Sequence, residues 1–176
     1  MKVRQAHGFA LIDLIFVCGI IGLLCSIALP RLLLAKQAAG AASAVSSIRT
    51  INSSQLTYAL TCGNGFYAPN LTTLGIAPPG SNEPFIAPSL SQGDTVTRSG
   101  YIMRLDGTSY AGAPPTCNGL GMGEAAQSYK SVADAAEPGN ARFFGTNSNG
   151  LLWEHTASMW AAMPEVGEPP IGHIFR

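Results

Sequence analysis

The chain has 176 residues, enough for one domain of ordinary size once a membrane-length segment is set aside. Charged residues make up only 11%, against the roughly 25% of typical soluble domains, and Ser, Thr, Asn and Gly carry most of the remaining polarity. Ten Lys and Arg balance ten Asp and Glu with no run of like charge, so there is no electrostatic footprint for nucleic acid and no such partner is expected.

Residues 1–8 form a short leader carrying Lys2 and Arg4, and residues 9–29 are predominantly apolar. As a helix that run spans about 31 Å, which matches a hydrocarbon core. A removable secretory signal has an apolar region of only about 7 to 15 residues, so this run reads as a retained span. Lys2 and Arg4 before it against Arg31 and Lys36 after it leave the positive-inside count close to a tie. Asp13 is the one carboxylate inside the run. Burying an acid near the centre of a membrane helix costs roughly 2.5 to 3.5 kcal/mol, so Asp13 needs a partner. The plainer reading is a single-span anchor whose acid faces headgroups. Gly19 and Gly22 fit either close approach of neighbouring helices or the general glycine enrichment of membrane helices. Pro30 removes one backbone hydrogen bond and is expected to break or kink an isolated helix.

Gly8-Phe9-Ala10-Leu11-Ile12-Asp13, the apolar run, and Pro30 at the twenty-second position counted from Phe9 resemble the leader and N-terminal helix of type IV pilins and type II secretion pseudopilins. The likeness covers roughly residues 1–50. It implies that a prepilin peptidase cuts after Gly8, that the new N-terminal Phe9 is N-methylated, and that residues 9–30 remain as a transmembrane and assembly helix. It also implies an inner-membrane, single-pass precursor whose N-terminus is cytoplasmic. Its expected partners are membrane lipid before assembly, the prepilin peptidase, an inner-membrane assembly platform, other pilins, and further copies of itself in a helical homopolymer. Asp13, Gly22 and Pro30 are the expected assembly positions. The family usually carries glutamate where this chain has Asp13. Cleavage would create an amine on Phe9 beside which the Asp13 carboxylate can sit, within one subunit or between two, and an ion pair of good geometry offsets much of the burial cost. Aspartate reaches about 1.5 Å less than glutamate, which predicts a closer helix approach or a weaker contact.

Residues 31–62 contain one interior glycine, Gly40, and no proline, and read as a continuation of the helix. Val45, Ile48, Ile51, Leu56, Ala59 and Leu60 fall on one half of the wheel, opposite Ser43, Ser47, Thr50, Ser54 and Thr57, so the apolar half is expected to carry a head. Arg49, Asn52 and Gln55 intrude on that half and are expected to face polar groups or a neighbouring subunit. Cys62-Gly63-Asn64-Gly65 supplies residues suited to a left-handed helix end.

The head, residues 63–176, begins with a loop over residues 66–93 rich in Pro, Gly, Asn and Ser. Residues 67–75 resemble the segment after the long helix in pseudopilins. Strand signals follow at residues 100–105, 127–133, 141–145 and 151–155, the last two flanking a turn at Asn147-Ser148-Asn149-Gly150. Arg142-Phe143-Phe144 and Gly150-Leu151-Leu152 resemble the final hairpin of pseudopilin heads. Helix first and strands after predict an α+β fold, an antiparallel sheet against the second half of the long helix, with an irregular tail from Pro164.

Cys18 and Cys25 lie about 10.5 Å apart along one helix, too far to bridge, and read as small packing residues in lipid. With the head outside the cytoplasm, as the resemblance implies, Cys62 and Cys117 are the plausible disulfide pair. The loop they close is worth about 4 kcal/mol by the chain-entropy estimate.

No catalytic constellation is present. His7 falls in the leader, and His155 and His173 have no Cys or carboxylate at metal-ligand spacing. Gly119-Leu120-Gly121-Met122-Gly123-Glu124 lacks the preceding strand and final residues of a phosphate loop. Residues 147–150 with Glu154 offer too few hard oxygens for the roughly 6 to 8 that calcium takes. No cofactor and no metal are expected, and the chain reads as a structural protein, not an enzyme. A type IV pilus-like subunit is the first reading, a type II secretion pseudopilus subunit the second. A single-span tethered protein that binds an extracellular ligand is the alternative of another class.

Overall fold

The computed structural model describes residues 11–137 and 142–175. The chain divides into two compact units, Met1–Ala38 and Ala39–Arg176. Helix α1, Leu11–Thr61, contributes its residues up to 38 to the first unit and the rest to the second.

The first unit, in its described part, is helix alone. Pro30 sits within α1 without ending it, so the helix is not broken there. Proline costs the helix the bond its missing N–H would have made to the Ser26 carbonyl, and the turns on either side, rich in Leu and Ala, keep helical geometry.

The second unit is α+β. Its part of α1 buries Ala41, Ala44, Val45, Ile48, Ile51, Gln55, Tyr58 and Ala59. Leu56 and Leu60 were expected on this buried half, but they are 55% and 76% exposed. The stripe is centred near Ile48 and Gln55, and Leu56 and Leu60 lie about 100° and 140° round the helix from Gln55. Serine and threonine hydroxyls on the other side turn back onto carbonyls four residues earlier, as in Thr50 to Ser46 and Thr57 to Ser53. The helix stops where expected. The N–H groups of Cys62 and Gly63 both donate to the Tyr58 carbonyl, and Asn64 (φ 51°) and Gly65 (φ 90°) turn left-handed.

The loop that follows holds a one-turn helix α2, Leu71–Leu74, capped by the Asn70 side chain on the Thr73 N–H, and a 3-10 turn at Pro88–Leu90. Six strands then form one antiparallel sheet in chain order: β1 Thr95–Arg98, β2 Tyr101–Asp106, β3 Lys130–Ala135, β4 Phe143–Asn147, β5 Leu152–His155 and β6 His173–Ile174. β2, β4 and β5 lie where alternation places them within a residue or two, Ala141 being outside the described residues. β3 is displaced: the signal at residues 127–133 becomes Lys130–Ala135, because pairing runs from Tyr101 opposite Ala135 to Asp106 opposite Lys130.

β1 and β6, both edge strands, were not expected. The turn between β1 and β2 is Ser99-Gly100, both at positive φ, the backbone a two-residue hairpin requires. Gly40 of α1 lies against it; a Cβ there would stand 2.7 Å from the Ser99 carbonyl oxygen, so the close approach depends on glycine.

Between α1 and the sheet sits the main core, with Ile48, Ile51 and Tyr58 against Leu71, Leu74, Tyr101, Met103 and Phe144. β3 is buried on both faces because a second cluster, Val132, Trp153, Met159 and Met163, covers the other side. The segment between β5 and Pro164 thus caps the outer face, and the tail from Pro164 is irregular in its described part, as expected, apart from the two residues of β6. The Asp134 carboxylate accepts from the Ser158 hydroxyl (2.6 Å) and the Met159 N–H (3.3 Å), and Glu165 accepts from the Thr108 N–H and the Ser128 hydroxyl. These bonds hold the apolar Met159 and Met163 onto the sheet.

Candidate functional site

The segment of α1 from Leu11 to Leu34 is the feature the fold leaves without an explanation of its own. Fifteen large apolar side chains along it are exposed. Burying a side chain of that kind is worth about 1.5 to 3 kcal/mol, so leaving the set in water forfeits tens of kcal/mol. The helix is long and apolar enough to cross a membrane.

Asp13 is an exposed acid in this segment, with no hydrogen bond or ion pair among the described residues. Nothing lies within 4 Å of a Cβ added at Gly19 or Gly22, so neither glycine serves a close approach within this chain. Cys18 and Cys25 carry free, exposed thiols on the same helix. Gly8 and Phe9, the expected cleavage and methylation positions, lie outside the described residues. Asp13, Gly22 and Pro30 thus share one exposed apolar helix.

Cys62 and Cys117 form a disulfide, with Cα atoms 4.9 Å apart. It sits at the C-terminal end of α1, and the Cys117 N–H also donates to the Cys62 carbonyl (3.1 Å). Next to it the Asn118 side chain accepts from the Tyr58 hydroxyl (3.1 Å) and donates to the Thr73 carbonyl (2.9 Å). Helix end, α2 and the loop after β2 are thereby joined at one place. Burial of Tyr58 pushes its hydroxyl pKa up.

The polar intruders on the helix stripe separate. Asn52 donates to the Thr146 hydroxyl (2.9 Å) and accepts from the Tyr129 hydroxyl (3.1 Å), and burial holds the Tyr129 phenol protonated well above its ordinary range. Gln55 is wholly buried and bonded to Ala68. Arg49 is exposed and, with Ser53 and Leu56, borders a shallow groove against Tyr67 and Tyr129. A second groove, at the β5–β6 edge, holds the Arg142–Glu154 ion pair with His173 4.0 Å from Glu154. The Glu154 hydrogen bond raises the Arg142 pKa, and the guanidinium covers the Phe144 and Phe175 rings. No group of three or more His, Cys, Asp or Glu among the described residues is placed to hold a metal ion.

No protein-family model, curated protein or solved structure matches the chain.

Proposed function

We propose that the chain is a structural subunit of a type IV pilus-like filament, made as a membrane precursor, cut after Gly8 and polymerised through the apolar half of α1. The observation that carries this reading is the run of exposed apolar side chains from Leu11 to Leu34. Such a surface needs lipid at first, and packing against other copies serves it equally well once the subunit leaves the bilayer. The resemblance of residues 8–13 and Pro30 to pilins and pseudopilins gives the same direction, and Asp13 supplies the charge that an apolar helix bundle uses for register. A head tied by the Cys62–Cys117 disulfide suits exposure outside the cytoplasm.

The test is the high-speed pellet of a sheared cell-surface fraction, probed for this chain and weighed intact. The reading expects the chain in the pellet with a mass beginning at methylated Phe9. A chain found only in membranes, as a monomer, supports a tethered binding protein instead.

A further inference from the structure

Met122 is 79% exposed, the most of any large apolar side chain among the described residues. It stands at the tip of the glycine-rich loop 119–124, where Gly119 (φ 105°) and Gly123 (φ 81°) both take the left-handed backbone. The loop is well held. The Gly123 N–H donates to the Ala113 carbonyl (2.8 Å), the Thr116 N–H donates to the Leu120 carbonyl (3.0 Å), and the Cys117 disulfide ties the loop's root to the end of α1. Along α1 of the same unit runs the groove bordered by Arg49, Ser53 and Leu56, with Tyr67 and Tyr129 across from them. Leu56 is more than half exposed there, and Arg49 has no hydrogen bond or ion pair among the described residues. We infer that the Met122 loop of one copy seats in the Arg49–Leu56 groove of the next, as a contact between heads; the inference rests on the filament reading above.

Knob and groove match in shape and in charge. A thioether on a flexible stem fits irregular hollows and is attracted to aromatic rings, and Tyr67 and Tyr129, packed edge to face with centroids 4.9 Å apart, present two. Two residues on from Met122, the exposed Glu124 carboxylate accepts from the Gly121 N–H through Oε2 (2.7 Å), which keeps it beside the knob and leaves Oε1 for a cation. Arg49 supplies that cation. It lies two helical turns from Leu56, about 10.5 Å, so an acid beside a seated methionine comes within reach of its long stem. An exposed ion pair adds little energy and fixes orientation, while burial of Met122 and Leu56 supplies the attraction. The occupant is a second copy, because at its high exposure Met122 does not fill the groove of its own chain. Knob and groove are different surfaces of one head, so the contact is head to tail. Each copy keeps a free knob or a free groove for the next, and the pattern stays open as a filament needs.

The experiment installs a diazirine amino acid at position 122 of the full chain, in cells that also make an epitope-tagged parent copy, and irradiates the sheared filaments. Linked dimers of one tagged and one untagged chain are expected, with the attachment mapped by mass spectrometry to residues 49–56 or to Tyr67. Filaments that form normally yet link at another surface, to another protein or not at all overturn the contact and leave the filament reading standing. A parent chain that never enters filaments overturns both. A second set of variants reads the energy. Met122→Ser should cut filament yield about tenfold at unchanged membrane level, and because the side chain is exposed the urea midpoint of the detergent-solubilised chain should not move. Leu56→Ser should cut the yield similarly, and the two together should cost little more than either alone, since each removes one half of the same contact. Parent yield from Met122→Ser, or losses that multiply in the double variant, contradict the inference.

Discussion

Gln55 holds Ala68 by both ends of its amide: Nε2 donates to the Ala68 carbonyl at 2.8 Å, and the Ala68 N–H donates to Oε1 at 2.9 Å. The side chain thus acts as a one-residue strand partner for the loop that leaves α1. All four groups are buried, so neither partner has water to fall back on.

Gln55→Leu keeps the volume and strands the N–H and C=O of Ala68. The expected loss is about 2 to 4 kcal/mol of head stability, the cost of two buried unpaired groups. Urea unfolding of the detergent-solubilised chain checks it, the midpoint falling with an unchanged slope.

Replacing Cys62 and Cys117 by serine opens a loop of sequence separation 55. The expected destabilisation is about 4 kcal/mol by chain entropy. Intact mass under non-reducing conditions, after thiol alkylation, should show two alkylated cysteines, Cys18 and Cys25, and thermal melting of the serine variant should show the loss.

Tyr58 and Tyr129 both have pKa values raised by burial, Tyr129 also by the neighbouring Tyr67. Their folded pKa values lie above the unfolded value of 10.0. The unfolded chain therefore releases these protons first as pH rises. Their contribution to stability is intact below about pH 10 and is lost as pH climbs toward the folded values. A pH series of urea midpoints should be flat across neutrality on this account and fall in strong alkali. Tyr129→Phe should make that alkaline fall shallower, read against phenolate absorbance.

Asp13→Ala removes the one carboxylate of the exposed apolar helix and leaves residues 1–9 untouched. Filaments should be lost or thinned while leader cleavage, followed as a mobility shift, proceeds as in the parent. Parent-level filaments from this variant would remove Asp13 from assembly.

Much of this fold is legible in local chemistry. The end of α1 is written in Asn64 and Gly65, the β4–β5 hairpin in the turn before Gly150, and the disulfide in the separation of two thiols on the apolar helix from two in the head. What escapes depends on distant partners. Thr95–Arg98 buries only Val96 and so shows no alternation, although Ser99-Gly100 carries the turn signature that marks it. Leu56 and Leu60 are as apolar as Ile48 and Ile51, and which of them is buried is decided by where Leu71, Leu74 and the sheet lie. The segment before Pro164 gives no periodic signal because Met159 and Met163 are set in turns, Met159 being placed by its N–H on Asp134. At the candidate site the lone charge of Asp13 stands out in sequence, whereas the continuity of α1 through Pro30 does not.

The central claim, a subunit that polymerises through the apolar half of α1, is tested most directly by electron micrographs of the sheared surface fraction labelled with antibody to the head. The account predicts thin filaments decorated along their whole length. Label confined to membrane vesicles, with no decorated filament from cells making the chain, would contradict it.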